Sequence, residues 1–211
     1  MQSYMKSAMP FLGVSAIPLR NVCRDVFSRL RLADRPAWEA STLLLWDGAR
    51  FREERYAALH LVRHRYYREY QDAATLSLYR HLVLTGAWWD YVDTVASTAV
   101  GPILRADHDR VAPLMREWAT DDNLWVRRTA ILCQLGSKDA TDLHLLRDVI
   151  ESNLVHTRFG NEFFIRKALG WALREYAKTD AAWVKRTVDE LAGRLAPLSR
   201  REALKNIIST T

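Results

Sequence analysis

Apolar residues recur at three- and four-residue spacing along almost the whole chain. Tyr56, Leu59 and Val62 follow this spacing in one segment, and Ile131 and Leu135 follow it in another. That period is typical of amphipathic α-helices, whereas the strict alternation expected of β-strands is scarce. The pattern therefore predicts an all-α protein.

Turn-forming residues divide this pattern into pieces of helical length. They fall at positions 10–13, 34–36, 47–49, 86, 101–102, 107, 121–123, 136–139, 160, 179–180 and 197. About a dozen helices joined by short loops are expected. Pro36 suits the first turn of one helix, and Ser199 with Glu202 three residues later fits a capping box that opens a short last helix.

Tryptophan-bearing segments repeat along the chain at a spacing typical of helical repeats. Trp89 lies 36 residues before Trp125, which lies 46 residues before Trp171. Helix pairs of the HEAT type repeat every 40 to 47 residues or roughly so, and they stack into a curved solenoid with one concave surface. We expect an α-solenoid that forms a single domain over residues 1–211, because no linker interrupts the pattern.

Composition agrees with a globular protein that has a basic surface. The chain has 211 residues, of which 49% are hydrophobic and 27% charged, and a formal net charge of +6. A disordered chain or a disulfide-stapled mini-protein is therefore excluded. The positive charge suits a polyanionic partner and makes the predicted concave surface a candidate basic groove.

The cysteines and the absence of a long apolar stretch indicate an intracellular protein. Cys23 and Cys133 fit no metal-binding or redox spacing, so two reduced thiols are expected, with one long-range disulfide as the alternative. No segment has the apolar length of a signal peptide or a membrane span. We therefore expect a cytoplasmic protein without a membrane partner.

The segment around two adjacent tryptophans presents the most specific candidate chemistry. Trp89 and Asp93 are four residues apart, so both lie on one face of a helix, while Asp90 points about 100° away from Trp89. An indole and a carboxylate are thus presented together.

Two later segments add positive charge to this aromatic theme. Arg128 follows Trp125 by three residues, and Lys167 and Arg174 lie on the turns that neighbour Trp171. These cations are candidate contacts to phosphate groups. Spacing by itself fits equally well with tryptophans in a core, a surface aspartate and a surface arginine.

Other catalytic classes find little support in the sequence. His60 and His64 have metal-ligand spacing, but no third ligand accompanies them. The chain also lacks a Gly-rich phosphate loop and a Gly-x-Ser-x-Gly elbow. No metal or organic cofactor is therefore expected, and nucleotide or serine hydrolysis is disfavoured.

Four segments carry a resemblance to a known family: AWWDYVDTVA, DDNLWVRRTAILCQL, EFFIRKALGWALREYAKTD and LAPLSRREALKNI. Together they resemble the DNA alkylation repair family, the AlkD-like alkylpurine DNA glycosylases. The resemblance implies a solenoid of HEAT-like repeats that wraps duplex DNA in a basic groove. It also implies hydrolysis of the N-glycosidic bond of 3-methyladenine- and 7-methylguanine-type lesions, which leaves an abasic site, and tolerance of bulky adducts.

The resemblance also assigns roles to individual residues. It implies that Asp93 is the catalytic carboxylate, that Trp89 and Trp171 wall the lesion site, and that Arg128 contacts a phosphate. Tyr4 matches a further family position at the groove. The protein is then expected to be a monofunctional, monomeric enzyme associated with the nucleoid.

Two alternatives remain open at this point. Some relatives in the family bind damaged or branched DNA without catalysis. HEAT-like solenoids also serve as protein-binding scaffolds.

Overall fold

A computed structural model of the chain describes residues 2–207, and that part of the chain is helical with no β-strand. The expected domain 1–211 extends beyond it by residue 1 and residues 208–211. The α-helices are α1 (Gln2–Met5), α2 (Ala16–Arg29), α3 (Arg35–Asp47), α4 (Arg52–Val62), α5 (Leu76–Gly86), α6 (Trp89–Val95), α7 (Gly101–Ala106), α8 (His108–Trp118), α9 (Leu124–Leu132), α10 (Leu143–Glu151), α11 (Phe163–Tyr176), α12 (Ala181–Glu190) and α13 (Pro197–Leu204). Short 3-10 turns span Arg65–Tyr70, Ala73–Thr75 and Lys138–Ala140, and a π-helical turn spans Ala96–Val100.

The helices form two compact units that meet in the sequence between Val95 and Ala96. We call them unit 1 and unit 2. Within unit 1, α4 packs against α2, α3 and α6, and α5 packs against α6. Within unit 2, α9 packs against α8, α10 and α11, and α11 packs against α13. The all-α class and the succession of packed helix pairs expected of an α-solenoid are thus confirmed.

Each unit has its own hydrophobic core. Unit 1 buries large aromatic side chains, among them Trp38, Trp46 and Tyr79, each with no exposed surface. The core of unit 2 is mainly aliphatic and includes Leu132 and Leu173, against which Trp171 packs as a partly buried side chain. Burial of this kind, at about 25 cal/mol per Å² of apolar surface, is what holds amphipathic helices in place.

One predicted helix start is confirmed and the other is wrong. Helix α3 begins at Arg35, with Pro36 in its first turn and the Asp34 carboxylate accepting from the Ala37 amide at 2.8 Å. Helix α13 begins at Pro197, two residues before the predicted cap at Ser199. The buried Ser199 hydroxyl instead donates to the Arg166 carbonyl oxygen at 2.8 Å. A contact between helices therefore replaces the local cap.

The two cysteines are free and buried, one in each unit. Cys23 is the one buried residue of α2, and Cys133 follows α9 with no exposed surface. Burial raises the pKa of Cys133 to about 12. Both side chains therefore sit in their units as small apolar groups.

Candidate functional site

A tight turn between α5 and α6 sets the direction of the helix that carries Trp89 and Asp93. Ala87 adopts a left-handed conformation with φ of +41°, and its amide donates to the Val83 carbonyl oxygen at 3.0 Å. A Cβ atom at Gly86 would lie 2.7 Å from the Trp46 ring, so this close approach requires glycine. The turn thus starts α6 against the core of unit 1.

Helix α6 has one buried face and one half-buried face. Tyr91, Val92 and Val95 are buried, whereas Trp89 and Asp93 are half-buried. The four-residue spacing places these last two side chains on one side of the helix, as the sequence predicts. An aromatic face and a carboxylate are therefore presented together next to solvent.

Tyr4 and Trp89 are brought together in unit 1. Their ring centroids are 6.5 Å apart, and the rings are nearly perpendicular at 87°. This edge-to-face geometry is favourable for aromatic pairs. Because Tyr4 is 76% exposed, the pair forms an accessible aromatic surface at the start of α6.

Asp90, the residue after Trp89, belongs to a hydrogen-bond network at the start of α6. The Arg52 Nη2 donates to both Asp90 oxygens at 2.6 and 2.7 Å, and the Tyr56 hydroxyl donates to Asp90 Oδ2 at 2.5 Å. Burial, together with the bond to Asp90, raises the pKa of Tyr56 to about 12, so its hydroxyl stays protonated. Arg52 also lies 4.2 Å above the Tyr91 ring centroid.

The same arginine and its neighbour Glu53 hold the segment that follows α1. Arg52 is 1% exposed; its Nη1 donates to the Ser7 hydroxyl at 2.7 Å, and its amide donates to the Pro10 carbonyl oxygen at 2.9 Å. Glu53 is 2% exposed and accepts from three successive amides at 2.9 to 3.1 Å, those of Leu12, Gly13 and Val14. We call residues 7–14 the N-terminal strap; its anchoring fixes the chain that leads back to Tyr4.

Sequence reasoning missed Arg52 and Glu53, although the sequence contains a signal for one of them. Arg52 is in phase with Tyr56 and Leu59 on the apolar side of α4. A charged residue at a core position is buried only when it is paired, so this phase predicts a partner carboxylate. It does not predict which carboxylate.

Arg128 lies on α9 of unit 2 and is buried, with 4% exposure. The Asn123 side chain caps the start of this helix and accepts from the amides of Trp125 and Val126 at 2.9 and 3.3 Å. Arg128 Nη1 donates to the Phe164 carbonyl oxygen, and the Phe164 ring lies 4.9 Å from the Trp125 ring. The guanidinium is therefore oriented by α11 and packed beside an aromatic pair.

Trp171, Lys167 and Arg174 share helix α11, and α13 engages the two cations. Lys167 Nζ lies 3.0 Å from Glu202 Oε1, and Arg174 Nη1 pairs with Glu202 Oε2. Hydrogen bonds from Lys167 and Arg174 hold the pKa of Glu202 below its usual range. The three groups together carry one net positive charge, and the half-buried Trp171 stands on the same helix.

A metal centre finds no support in the described residues. No group of three histidine, cysteine, aspartate or glutamate side chains between residues 2 and 207 could hold an ion. In the same part of the chain, no helix is both long and apolar enough to cross a membrane.

The succession of packed helices makes this an α-helical protein of the solenoid class. Trp89, Asp93, Arg128 and Trp171 follow one another along its helices. The chain belongs to the family of DNA alkylation repair enzymes, whose family model matches residues 1–207. It is similar to a solved structure described as a predicted DNA alkylation repair enzyme from Enterococcus faecalis, with 28% identity and a TM-score of 0.84. That match covers 97% of this chain and 92% of the other. A comparison with curated proteins gives no match.

Proposed function

We propose that the protein is a monofunctional alkylpurine DNA glycosylase that works without a metal or organic cofactor. Its substrate is duplex DNA with cationic purines of the 3-methyladenine and 7-methylguanine type, including bulkier adducts. The observation that carries this proposal is helix α6, which presents Trp89 and Asp93 on one half-buried face while Asp90 is held by Arg52.

The chemistry requires only one carboxylate because the alkylated purine is already positively charged. When the bond from C1′ to the purine nitrogen breaks, its electron pair leaves with the base, which departs as a neutral molecule. General-acid protonation of the leaving group, needed by most glycoside hydrolases, is then unnecessary. Positive charge develops on the deoxyribose, where the Asp93 carboxylate stabilises it. Water adds at C1′, and its proton passes to Asp93 or to solvent.

The aromatic residues supply selectivity for charged lesions. The faces of Trp89 and Trp171 attract a cation by about 0.5 to 2 kcal/mol each, depending on how completely the site is desolvated. Tyr4 supports Trp89 from the side through the edge-to-face contact. A neutral base gains no such attraction, so it is bound less well.

The basic residues contribute to DNA binding to different degrees. Arg128 contacts a phosphate in this proposal, and because a guanidinium has five N–H donors, its bond to the Phe164 carbonyl oxygen can persist. Lys167 and Arg174 share Glu202, so they add less to phosphate binding than two separate cations would. We propose that the protein acts as a monomer on DNA of the cytoplasmic nucleoid.

The decisive experiment is release of 7-methylguanine from methylated duplex DNA by the purified protein and by its Asp93→Asn variant. We expect release by the wild-type protein and a loss of about a hundredfold or more in the variant, because an amide cannot stabilise the developing positive charge. Duplex affinity changes little. The matched control is Asp109→Asn on α8, which removes the same charge from an exposed side chain and leaves release unchanged.

Two results would contradict the proposal in distinct ways. Duplex binding without base release from methyl or bulky adducts indicates the non-catalytic DNA-binding protein. Failure to bind duplex DNA even at low salt indicates the protein-binding scaffold instead.

A further inference from the structure

Unit 1 has an open groove between α2 and the end of α4 that the site on α6 does not include. It encloses about 660 Å³, and His60 and Cys23 form part of its floor. A smaller groove of about 230 Å³ adjoins it, since both are lined by His60 and Arg63. We refer to the larger of the two as the α2–α4 groove.

Four arginines line the α2–α4 groove: Arg20, Arg24, Arg63 and Arg65. The single carboxylate in its lining is that of Asp25, which pairs with Arg29 at 2.8 Å. Among the described residues, no carboxylate lies within ion-pair distance of these four arginines. The groove therefore concentrates positive charge that the protein itself does not neutralise.

His60 lines both grooves beside these arginines. Burial, followed by repulsion from Arg63 and Arg20, lowers its pKa below the usual value. The imidazole is therefore neutral near pH 7, where it can form hydrogen bonds but adds no positive charge to the groove.

The grooves connect the arginines to the candidate catalytic helix within unit 1. The smaller groove extends from His60 and Arg63 to Tyr56 and Thr94, and Thr94 is the residue after Asp93. From Tyr56 to Arg63 the chain advances seven helical positions, about 10 Å along the axis of α4. One DNA strand carries a phosphate about every 3.4 Å of duplex axis, so this length corresponds to about three phosphates.

We propose that the α2–α4 groove binds backbone phosphodiesters of duplex DNA on one side of the lesion. Arg24 and Arg65 each contact a phosphate, and Arg20 and Arg63 add to the local positive potential. The inference rests on the proposed function, because it assumes that DNA lies against α6. It adds a flanking contact that would hold the duplex in register while Asp93 faces the lesion sugar.

The test is the salt dependence of binding to an unmodified duplex labelled with a fluorophore, followed by anisotropy. The Arg24→Ala, Arg65→Ala double variant is compared with the wild-type protein and with an Arg110→Ala, Arg186→Ala control. The control removes the same charge from exposed positions on α8 and α12. We expect weaker binding of the first variant and a slope of log affinity against log salt that is smaller by about two, one for each lost phosphate contact.

Three outcomes overturn the inference. The first is a slope for the Arg24→Ala, Arg65→Ala variant equal to that of the wild-type protein, and the second is a control variant that loses as much slope as this variant. The third is displacement of the labelled duplex by inorganic phosphate as effective as displacement by unlabelled duplex at equal phosphate content, which assigns the groove to small phosphates. Circular dichroism establishes that both double variants are folded.

Failure of the groove and failure of the proposed function are distinguishable. An unchanged slope together with base release by the wild-type protein rejects only the groove. Absence of base release by the wild-type protein rejects the glycosylase, whatever the slope is.

Discussion

Arg52 connects three parts of unit 1 through a single buried side chain. It donates to Ser7 in the N-terminal strap and to Asp90 on α6, and it stacks on Tyr91. Because Arg52 is 1% exposed, its removal would leave its hydrogen-bond partners in a largely buried place. This arginine therefore decides whether the strap and the start of α6 stay in place.

We expect Arg52→Ala to lower the free energy of unfolding by about 3 to 5 kcal/mol, because it leaves the Asp90 carboxylate without its buried partner. Urea denaturation followed by circular dichroism measures the change. The control is Arg29→Ala, which breaks an exposed ion pair with Asp25 and should cost less than about 1 kcal/mol. Equal losses in the two variants would show that the Arg52 network does not stabilise unit 1.

Residue-level prediction succeeded where a local period determines the geometry. Trp89 and Asp93 share a helix face because they are four positions apart, and this needs no knowledge of the rest of the fold. The bond between Arg52 and Asp90 joins residues 38 positions apart, and Arg128 is buried because α11 packs over it. Contacts of that range depend on how helices pack, which spacing does not specify.

At the scale of helices, the contact between α11 and α13 depends on one glycine. A Cβ atom at Gly170 would lie 2.5 Å from the Glu202 Cβ and 2.8 Å from the Ser199 carbonyl oxygen. The close approach lets Glu202 reach Lys167 and Arg174 across the two helices. Trp171, the next residue, is therefore held on a helix whose position α13 fixes.

The Gly170→Ala variant tests this packing, because the direction of the change in the free energy of unfolding depends on how closely α13 is packed. In an open helix the replacement would stabilise the protein by up to about 1 kcal/mol, because alanine is the better helix former. Here we expect a loss of about 1 to 3 kcal/mol, since α13 must move away to admit the methyl group. Thermal and urea unfolding measure the difference, and a gain in stability would mean that α13 is easily displaced.

The capping box at Ser199 shows where prediction at this scale fails. Ser199 and Glu202 have the correct spacing, but each has a partner on α11, and the helix begins earlier at Pro197. Asp34 lies on the surface, so its local cap forms as the sequence indicates. Local signals hold where no other helix competes for the same groups.

At the scale of the whole molecule, the fold class followed from the three- and four-residue period of apolar positions. That period recurs in both units, which is why an all-helical fold could be predicted without any long-range information. The division between Val95 and Ala96 could not be predicted, because no Gly-, Pro- or Ser-rich linker marks it. The boundary is determined by which helices pack together, and the local composition at residues 95 and 96 does not indicate it.

Each unit has one buried cysteine, so the rate of chemical labelling can report the opening of each unit separately. A thiol reagent reacts only when a cysteine is both exposed and ionised, so the labelling rate reports how often its surroundings open. Cys23 is the one buried residue of α2, and undocking of that helix exposes it, whereas Cys133 requires its unit to unfold.

We expect Cys23 to be labelled first, at a rate that depends weakly on urea, and Cys133 to be labelled later with a steep urea dependence. Mass spectrometry of labelled peptides follows both sites in one sample, and a Cys23→Ser variant isolates the slower reaction. Identical rates at every urea concentration would instead mean that α2 opens only when the entire chain unfolds. The labelling rates of the two cysteines therefore measure how far unit 1 and unit 2 unfold in a single cooperative step.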